Sequence, residues 1–421
     1  MRPSAQSVSF STANPHALAT ILEASETRSI IASRDIFDVS GIKLWARDLP
    51  VSQALQRKLL DRQLRHPLES CLVAEDGVSG RSLVQSVEEL VARDTPLAAL
   101  LQPHADKIVH AAEHLPLHSV AQLLLTAGQA TRPGSFEHAV QAMALSGALM
   151  SAHGGGTREM RLAMLAGLLH DLGEMYLAPQ YGEADADRAL DFHSYQQLVV
   201  HPHVGKLLIE QLTNYPPEVA RAISEHHERL DGSGYPHCLH RDLVSPLGRL
   251  LAVSEGALAA LRGASPHLTR ASVALRVVPG EFDLGWVGLV SSAARGQQAL
   301  QATLGVDELQ ARLVRLDAAL QAAHHLAGSL MLAAESPALK DTLGLAQHLL
   351  ERLRTGWNAS GLWSEQTIAA QDAAEVQAIE EELLFRLRGI RRAALLRAGD
   401  LPEDDAVRLK LLCDGLGDGV N

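Results

Sequence analysis

The chain is 421 residues long, 47% hydrophobic, 20% charged and 4% aromatic, with a formal net charge of -12. That length suggests two or three domains at roughly 100–200 residues each, with enough apolar material for real cores. The acidic balance argues against binding a nucleic-acid polymer, which needs concentrated Lys and Arg. No uninterrupted apolar run approaches the roughly 18 residues needed to span a bilayer.

Leu and Ala dominate and lose little entropy in a helix, so a mainly α protein is expected. Residues 1–28, rich in Ser, Ala and Thr, read as a flexible lead-in, and Met1 to Phe10 lacks the apolar core of a signal peptide. Residues 29–130 read as an accessory region. Its apolar residues Ile30, Ile31, Ile36, Phe37, Val39, Ile42, Leu44 and Trp45 flank the turn pair Ser40-Gly41, which predicts a small β-hairpin. Pro50-Val51-Ser52 then opens a helix expected to run to about His66, with Pro67 as its stop. A hairpin followed by a helix makes a small N-terminal α+β unit. From Gly80 to Thr126 the pattern is helical, broken at Pro96, Pro103 and Pro116, and Arg132-Pro133-Gly134 marks a boundary.

Residues 131–298 form a second helical region, and residues 299–421 a C-terminal helical region rich in Leu, Ala, Gln and Arg. Long helices are expected from Ala299 to Ala334 and from Ser364 to Arg397. The basic run Arg386, Arg388, Arg391, Arg392 and Arg397 follows Glu375, Glu380, Glu381 and Glu382. It reads first as a solvated helix face with charges spaced for pairing. The sharper reading is a surface for a second copy or a protein partner, through either the N- or the C-terminal helical region. Cys71, Cys238 and Cys413 are too scattered for a disulfide framework or a zinc knuckle, so a reducing cytoplasm is the expected location.

Histidine is the outlier. The chain has 20, and ten lie between His138 and His240. His170-Asp171 ends the apolar run Met164 to Leu169, which should be a buried helix. Alone, the pair reads first as a core histidine bonded to its neighbour; a divalent metal would also satisfy it. His201-Pro202 reads as a helix start, and alone as a surface histidine near a cap. Glu225-His226-His227-Glu228-Arg229-Leu230-Asp231-Gly232-Ser233-Gly234-Tyr235-Pro236 is more specific. Adjacent histidines on a helix point in different directions and so can meet two metals, or one metal and a substrate. The glycine-rich turn after them allows close backbone approach to a ligand. His138 lies on an amphipathic helix. Glu255 sits in an apolar helical run, either as an exposed edge residue or as a buried ligand.

In this order, His138, His170-Asp171, His201, His226-His227 before Asp231 to Pro236, and Glu255 resemble the HD-GYP subgroup of the HD superfamily of metal-dependent phosphohydrolases. The resemblance covers about 130 residues, and six of the seven positions match in residue type. It implies an all-helical HD-type domain holding two divalent metal ions, iron or manganese, with Asp171 bridging them. His138, His170 and Glu255 would serve one ion and His201, His226 and His227 the other. It implies catalytic roles for His170 and Asp171, and a substrate pocket shaped by Tyr235, Gly234 and Arg249. The family hydrolyses cyclic di-GMP, so the implied ligand is a cyclic dinucleotide or a related phosphoester.

Several positions depart from the family pattern. Glu174 stands where the family has a lysine, which reverses the charge facing a substrate phosphate. Glu255 replaces an aspartate and reaches about one methylene further. Gly134 replaces the glutamate of three-metal members, so two metals at most are expected. The basic segment after the late acid is missing from Leu258 to Ala260 and from Ala264 to His267, with Arg262 and Arg270 as the remaining cations nearby. Two functions follow: a phosphodiesterase of this type, or a catalytically impaired metal-binding regulatory or scaffold protein in cyclic-nucleotide signalling.

Overall fold

The computed structural model describes residues 10–178, 199–262, 266–297, 299–361, 372–398 and 401–418. The protein is mainly α-helical, with a small N-terminal α+β part, and divides into two compact units. The first takes in the described residues of 1–188, 197–229 and 234–255, and the second those of 230–233 and from 256 onward.

The first unit opens with α1 (Pro15–Ala24), inside the stretch expected to be a loose lead-in. Its start is encoded locally. The Asn14 side chain accepts from the backbone N–H of His16 and Ala17 at 2.9 and 3.1 Å, and Pro15 sits at the first turn. Leu18 and Ile21 bury the inner face. Strand β1 (Ile30–Ala32) follows, then β2 (Ile36–Phe37) and β3 (Lys43–Trp45). The expected hairpin forms between β2 and β3, with Ile36 opposite Trp45. β1 pairs instead with β4 (Leu72–Ala74), Ile30 opposite Ala74. The helix expected from Pro50 to His66 is shorter: α2 spans Gln53–Leu59, and the chain leaves it well before Pro67. The backbone of Val39 and Arg65 is engaged with Gln63 and Phe37 instead, so residues 63–65 run beside the hairpin.

Helices α3 (Gly80–Val91), α4 (Pro96–Leu101), α5 (Ala105–Glu113) and α6 (Ser119–Thr131) follow the predicted breaks. Pro133 then starts α7 (Pro133–Ala152). Ala142, Met143, Ala144, Leu145, Ala148 and Leu149 bury α7 on most sides, as expected of a helix apolar all round. It packs along α8 (Thr157–Leu169), and α9 (His201–Leu212) packs on α10 (Pro217–Glu225). Helix α11 spans Pro246–Leu261.

The second unit holds α12 (Leu268–Ala274), α13 (Leu284–Ala294), α14 (Val306–Ala333), α15 (Pro337–Ser360), α16 (Ala373–Ala398) and α17 (Glu403–Asp418). Leu309, Leu313, Leu316 and Leu320 of α14 meet Leu343, Leu350 and Trp357 of α15 in its core. Their three- and four-residue spacing is that of an amphipathic helix. Positions 364–371 of the expected Ser364–Arg397 helix, and Ala264 and Ser265, lie outside the described residues, as do the side chains of Arg392 and Arg397. The charges of α16 are not all on a solvated face. Glu380 is buried and pairs with Arg312 at 3.1 Å, and Arg386 bonds both Glu382 and the buried Glu281.

Candidate metal centre

The seven histidines and acids singled out above lie far apart in sequence, and the first unit brings them together at helix ends. His170 caps the C-terminus of α8 and Asp171 follows it. His201 opens α9, His226 caps α10 with His227 next to it, His138 projects from α7 and Glu255 from α11. A short 3-10 turn, Leu172–Tyr176, follows Asp171. Gly173 is required there, because an added Cβ would lie 2.1 Å from the carbonyl oxygen of His201. That close approach brings Asp171 and His201 to the same place.

The donor atoms form two groups that share Asp171. In the first, His138 Nε2 lies 3.0 Å from Glu255 Oε2, 3.2 Å from His170 Nε2 and 3.5 Å from Asp171 Oδ2. His170 Nε2 is 3.0 Å from the same Asp171 oxygen. In the second, His201 and His226 place their Nε2 atoms 3.1 Å apart, at 3.4 and 3.5 Å from Asp171 Oδ1. The His227 ring adjoins both, at 4.1 Å from His226 and 5.1 Å from His201 between centroids.

Backbone carbonyls set the histidine tautomers. The Nδ1–H of His170 donates to Gly167 at 2.7 Å and that of His226 to Ile223 at 2.6 Å. A carbonyl only accepts, so each ring carries its proton on Nδ1 and turns Nε2 toward the cluster. Metal-bound histidines are oriented in the same way. Burial is nearly complete: His201 and His226 have no exposed surface and His170 is 2% exposed. Burial, reinforced by His227, depresses the His226 pKa to about 3, so its ring is neutral. Burial also opposes a charge on His170, but Asp171 and Glu255 outweigh it and raise its pKa well above the ordinary histidine value. Asp171 is held well below the usual carboxylate range against the effect of burial, chiefly by His170.

These residues fit divalent metal ions. Donors bound at about 2.1 Å to one ion sit roughly 3.0–3.4 Å apart, and the spacings above, 3.0–3.5 Å, lie close to that range. Asp171 Oδ1 is buried with no hydrogen-bond partner among the described residues, a costly arrangement that a cation would relieve. Mixed imidazole and carboxylate donors suit first-row divalent metals. A further group, His110, Glu113 and His114, is exposed at the end of α5 and separate from this cluster.

Other predicted residues fall beside the cluster or away from it. The Tyr235 ring stacks on His227 at 4.5 Å and 22°, and its N–H donates to the His227 carbonyl at 3.1 Å. Gly234 permits this, since a Cβ there would lie 2.4 Å from both Arg229 N and His227 O. Arg249 donates to the carbonyls of Val244 and Arg241 at 3.0 and 3.1 Å and to Asp242 at 3.2 Å, which places it in the structure of that turn. Glu174 is buried within the 3-10 turn. Arg270, one of the remaining cations, pairs with Glu381 in the second unit. The sequence reading missed Glu228. This carboxylate is 1% exposed and accepts from the backbone N–H of His237 and Leu239 at 2.7 and 2.8 Å, anchoring the turn that carries Tyr235. An acid directly after two candidate ligands and before a glycine-rich turn was the available signal.

Residues 120–278 match the HD domain family. A cyclic di-GMP phosphodiesterase, PA4108 of Pseudomonas aeruginosa, is 27% identical over 217 residues, covering 52% of this chain and 50% of that protein. A 3'3'-cGAMP-specific phosphodiesterase 1 of Vibrio cholerae is 23% identical over 208 residues, covering 47% of each. The chain spans about half the length of the curated relatives it matches. Among solved structures, Bd1817, a HDG"Y"P protein from Bdellovibrio bacteriovorus, aligns at 16% identity and a TM-score of 0.36, over 65% of this chain and 98% of that one. No helix among the described residues is long and apolar enough to cross a membrane.

Proposed function

We propose that the protein, whose residues 120–278 match the HD domain family, is a metal-dependent phosphodiesterase of a cyclic dinucleotide with an HD-GYP-type domain. The observation that carries this reading is Asp171, whose two oxygens face two separate histidine groups. His138, His170 and Glu255 would hold one ion, His201, His226 and His227 the other, with Asp171 shared. Iron or manganese suits this donor set. Two such cations would supply an activated water and a clamp for phosphate oxygens.

The chain's own residues do the rest. His170 and His226, held by Gly167 and Ile223, present their Nε2 atoms without having to reorient. Tyr235 fixes the plane of the His227 ring by stacking on it. Glu228 holds the turn that keeps Tyr235 there. Cyclic di-GMP and 3'3'-cGAMP are the substrates to test, because the two relatives are named for them.

Glu174 favours a second reading, a metal-binding regulatory protein with little turnover, because a buried anion follows Asp171 where the family carries a cation. Hydrolysis of both dinucleotides with and without Mn2+ separates the two. Metal-dependent cleavage abolished by EDTA supports the diesterase. Tight metal binding with no cleavage of either substrate supports the regulatory protein.

A further inference from the structure

The turn that follows Asp171 is gripped from outside the matched HD segment. Tyr176 ends this turn, and its hydroxyl donates to Glu69 Oε1 at 2.8 Å. Its carbonyl accepts from Asn14 Nδ2 at 3.2 Å, and its ring meets Phe10 edge-on at 5.7 Å. Glu69 is only 3% exposed. A carboxylate is a costly way to fill such a place, and an apolar side chain would fill it without the desolvation penalty. Its presence argues that the acceptor itself is needed. On the opposite side, Gly173 lies against the His201 carbonyl with no space for a Cβ. Residues 172–176 are therefore held between the N-terminal region and the start of α9.

The 3-10 turn Leu172–Tyr176 begins directly after Asp171, and the backbone N–H of Glu174 donates to the Asp171 carbonyl at 2.9 Å, so the placement of Tyr176 and that of Asp171 are linked through five residues. Asp171 faces both histidine groups at 3.0–3.5 Å, so a small displacement alters the two groups together. We propose that Glu69 and Tyr176 are positioning residues for Asp171, and that through them the N-terminal region sets the metal affinity of the centre. This rests on the reading of Asp171 as the ligand shared by two ions. The N-terminal region thereby gains a role that its small strands and short helices do not suggest: whatever binds or displaces it changes how well the centre holds metal.

The test is a calorimetric Mn2+ titration of the intact chain, with thermal unfolding of the metal-free protein as a parallel measurement. Tyr176→Phe and Glu69→Ala should bind Mn2+ about tenfold more weakly than wild type, the low end of the range for outer-shell partners of metal ligands. Glu69→Gln keeps an acceptor oxygen for the Tyr176 hydroxyl and should stay within about twofold of wild type. If Tyr176→Phe does not fold, Asn14→Ala removes the contact to the Tyr176 carbonyl and should weaken binding in the same direction. Variants that melt earlier yet bind Mn2+ as tightly as wild type would overturn the proposal and leave the metal centre standing. A wild-type chain that binds no Mn2+ would overturn the metal reading, and the proposal with it.

Discussion

At the scale of single residues, the cluster is defined by where protons sit. In the metal-free chain His170 keeps a proton because Asp171 and Glu255 lie beside it, whereas burial leaves His226 neutral with a pKa of about 3. A cation on Nε2 must displace the His170 proton. Metal binding near neutral pH should therefore release protons, and affinity should fall as pH falls. Titrations in buffers of different ionisation enthalpy should give different heats, and buffer-independent heats would contradict this assignment. His138, His170-Asp171, His201 and the His226-His227 pair were legible in the sequence, because a metal accepts few residue types and the strings around them are unusual. The carbonyl partners of Arg249 in the turn before α11 were not legible, because they depend on the local fold of residues 241–244. Glu69 and Tyr176 were not legible either, since they are common residues paired across more than 100 positions.

At the scale of elements, close backbone approach and buried polar pairs decide the geometry. Gly173→Ala would drive a methyl group into the His201 carbonyl. It should cost about 1–3 kcal/mol of stability, read by denaturant unfolding, and weaken metal binding through His201. Burial raises the pKa of Glu69 despite the hydrogen bond from Tyr176. A carboxyl whose folded pKa is raised stabilises fully below its unfolded pKa and loses that contribution as pH rises through the folded value. Glu69→Gln removes this titration. The melting temperature of the variant relative to wild type should therefore rise as pH climbs above the ordinary glutamate value of 4.5. An unchanged difference would mean that Glu69 keeps an ordinary pKa. Helix α1 was hidden by a Ser, Ala and Thr-rich composition that reads as loose chain, although Asn14-Pro15 is a recognisable helix start. The β2–β3 hairpin was readable from its turn pair and flanking apolar residues, but the pairing of β1 with β4 depends on contacts some forty residues apart.

At the scale of the whole molecule, all seven candidate ligands lie in the first unit, while the second has its own core and its own buried charges. Breaking the Arg386–Glu281 pair with Arg386→Met removes a close cationic partner of a buried carboxylate. It should destabilise the second unit, by about 3 kcal/mol in a denaturant titration, with metal content per chain unchanged. Two long helices of the second unit, α14 and α16, are expected from the sequence, whereas α15 and the buried charge network are not, because the spacing of Glu and Arg on α16 fits a solvated face equally well. The most direct test of the account is the metal content of anaerobically purified, metal-replete protein, measured with cyclic di-GMP turnover on the same sample. The account predicts about two ions per chain, and loss of both metal and turnover in Asp171→Asn. A wild-type chain without bound metal under those conditions would contradict it.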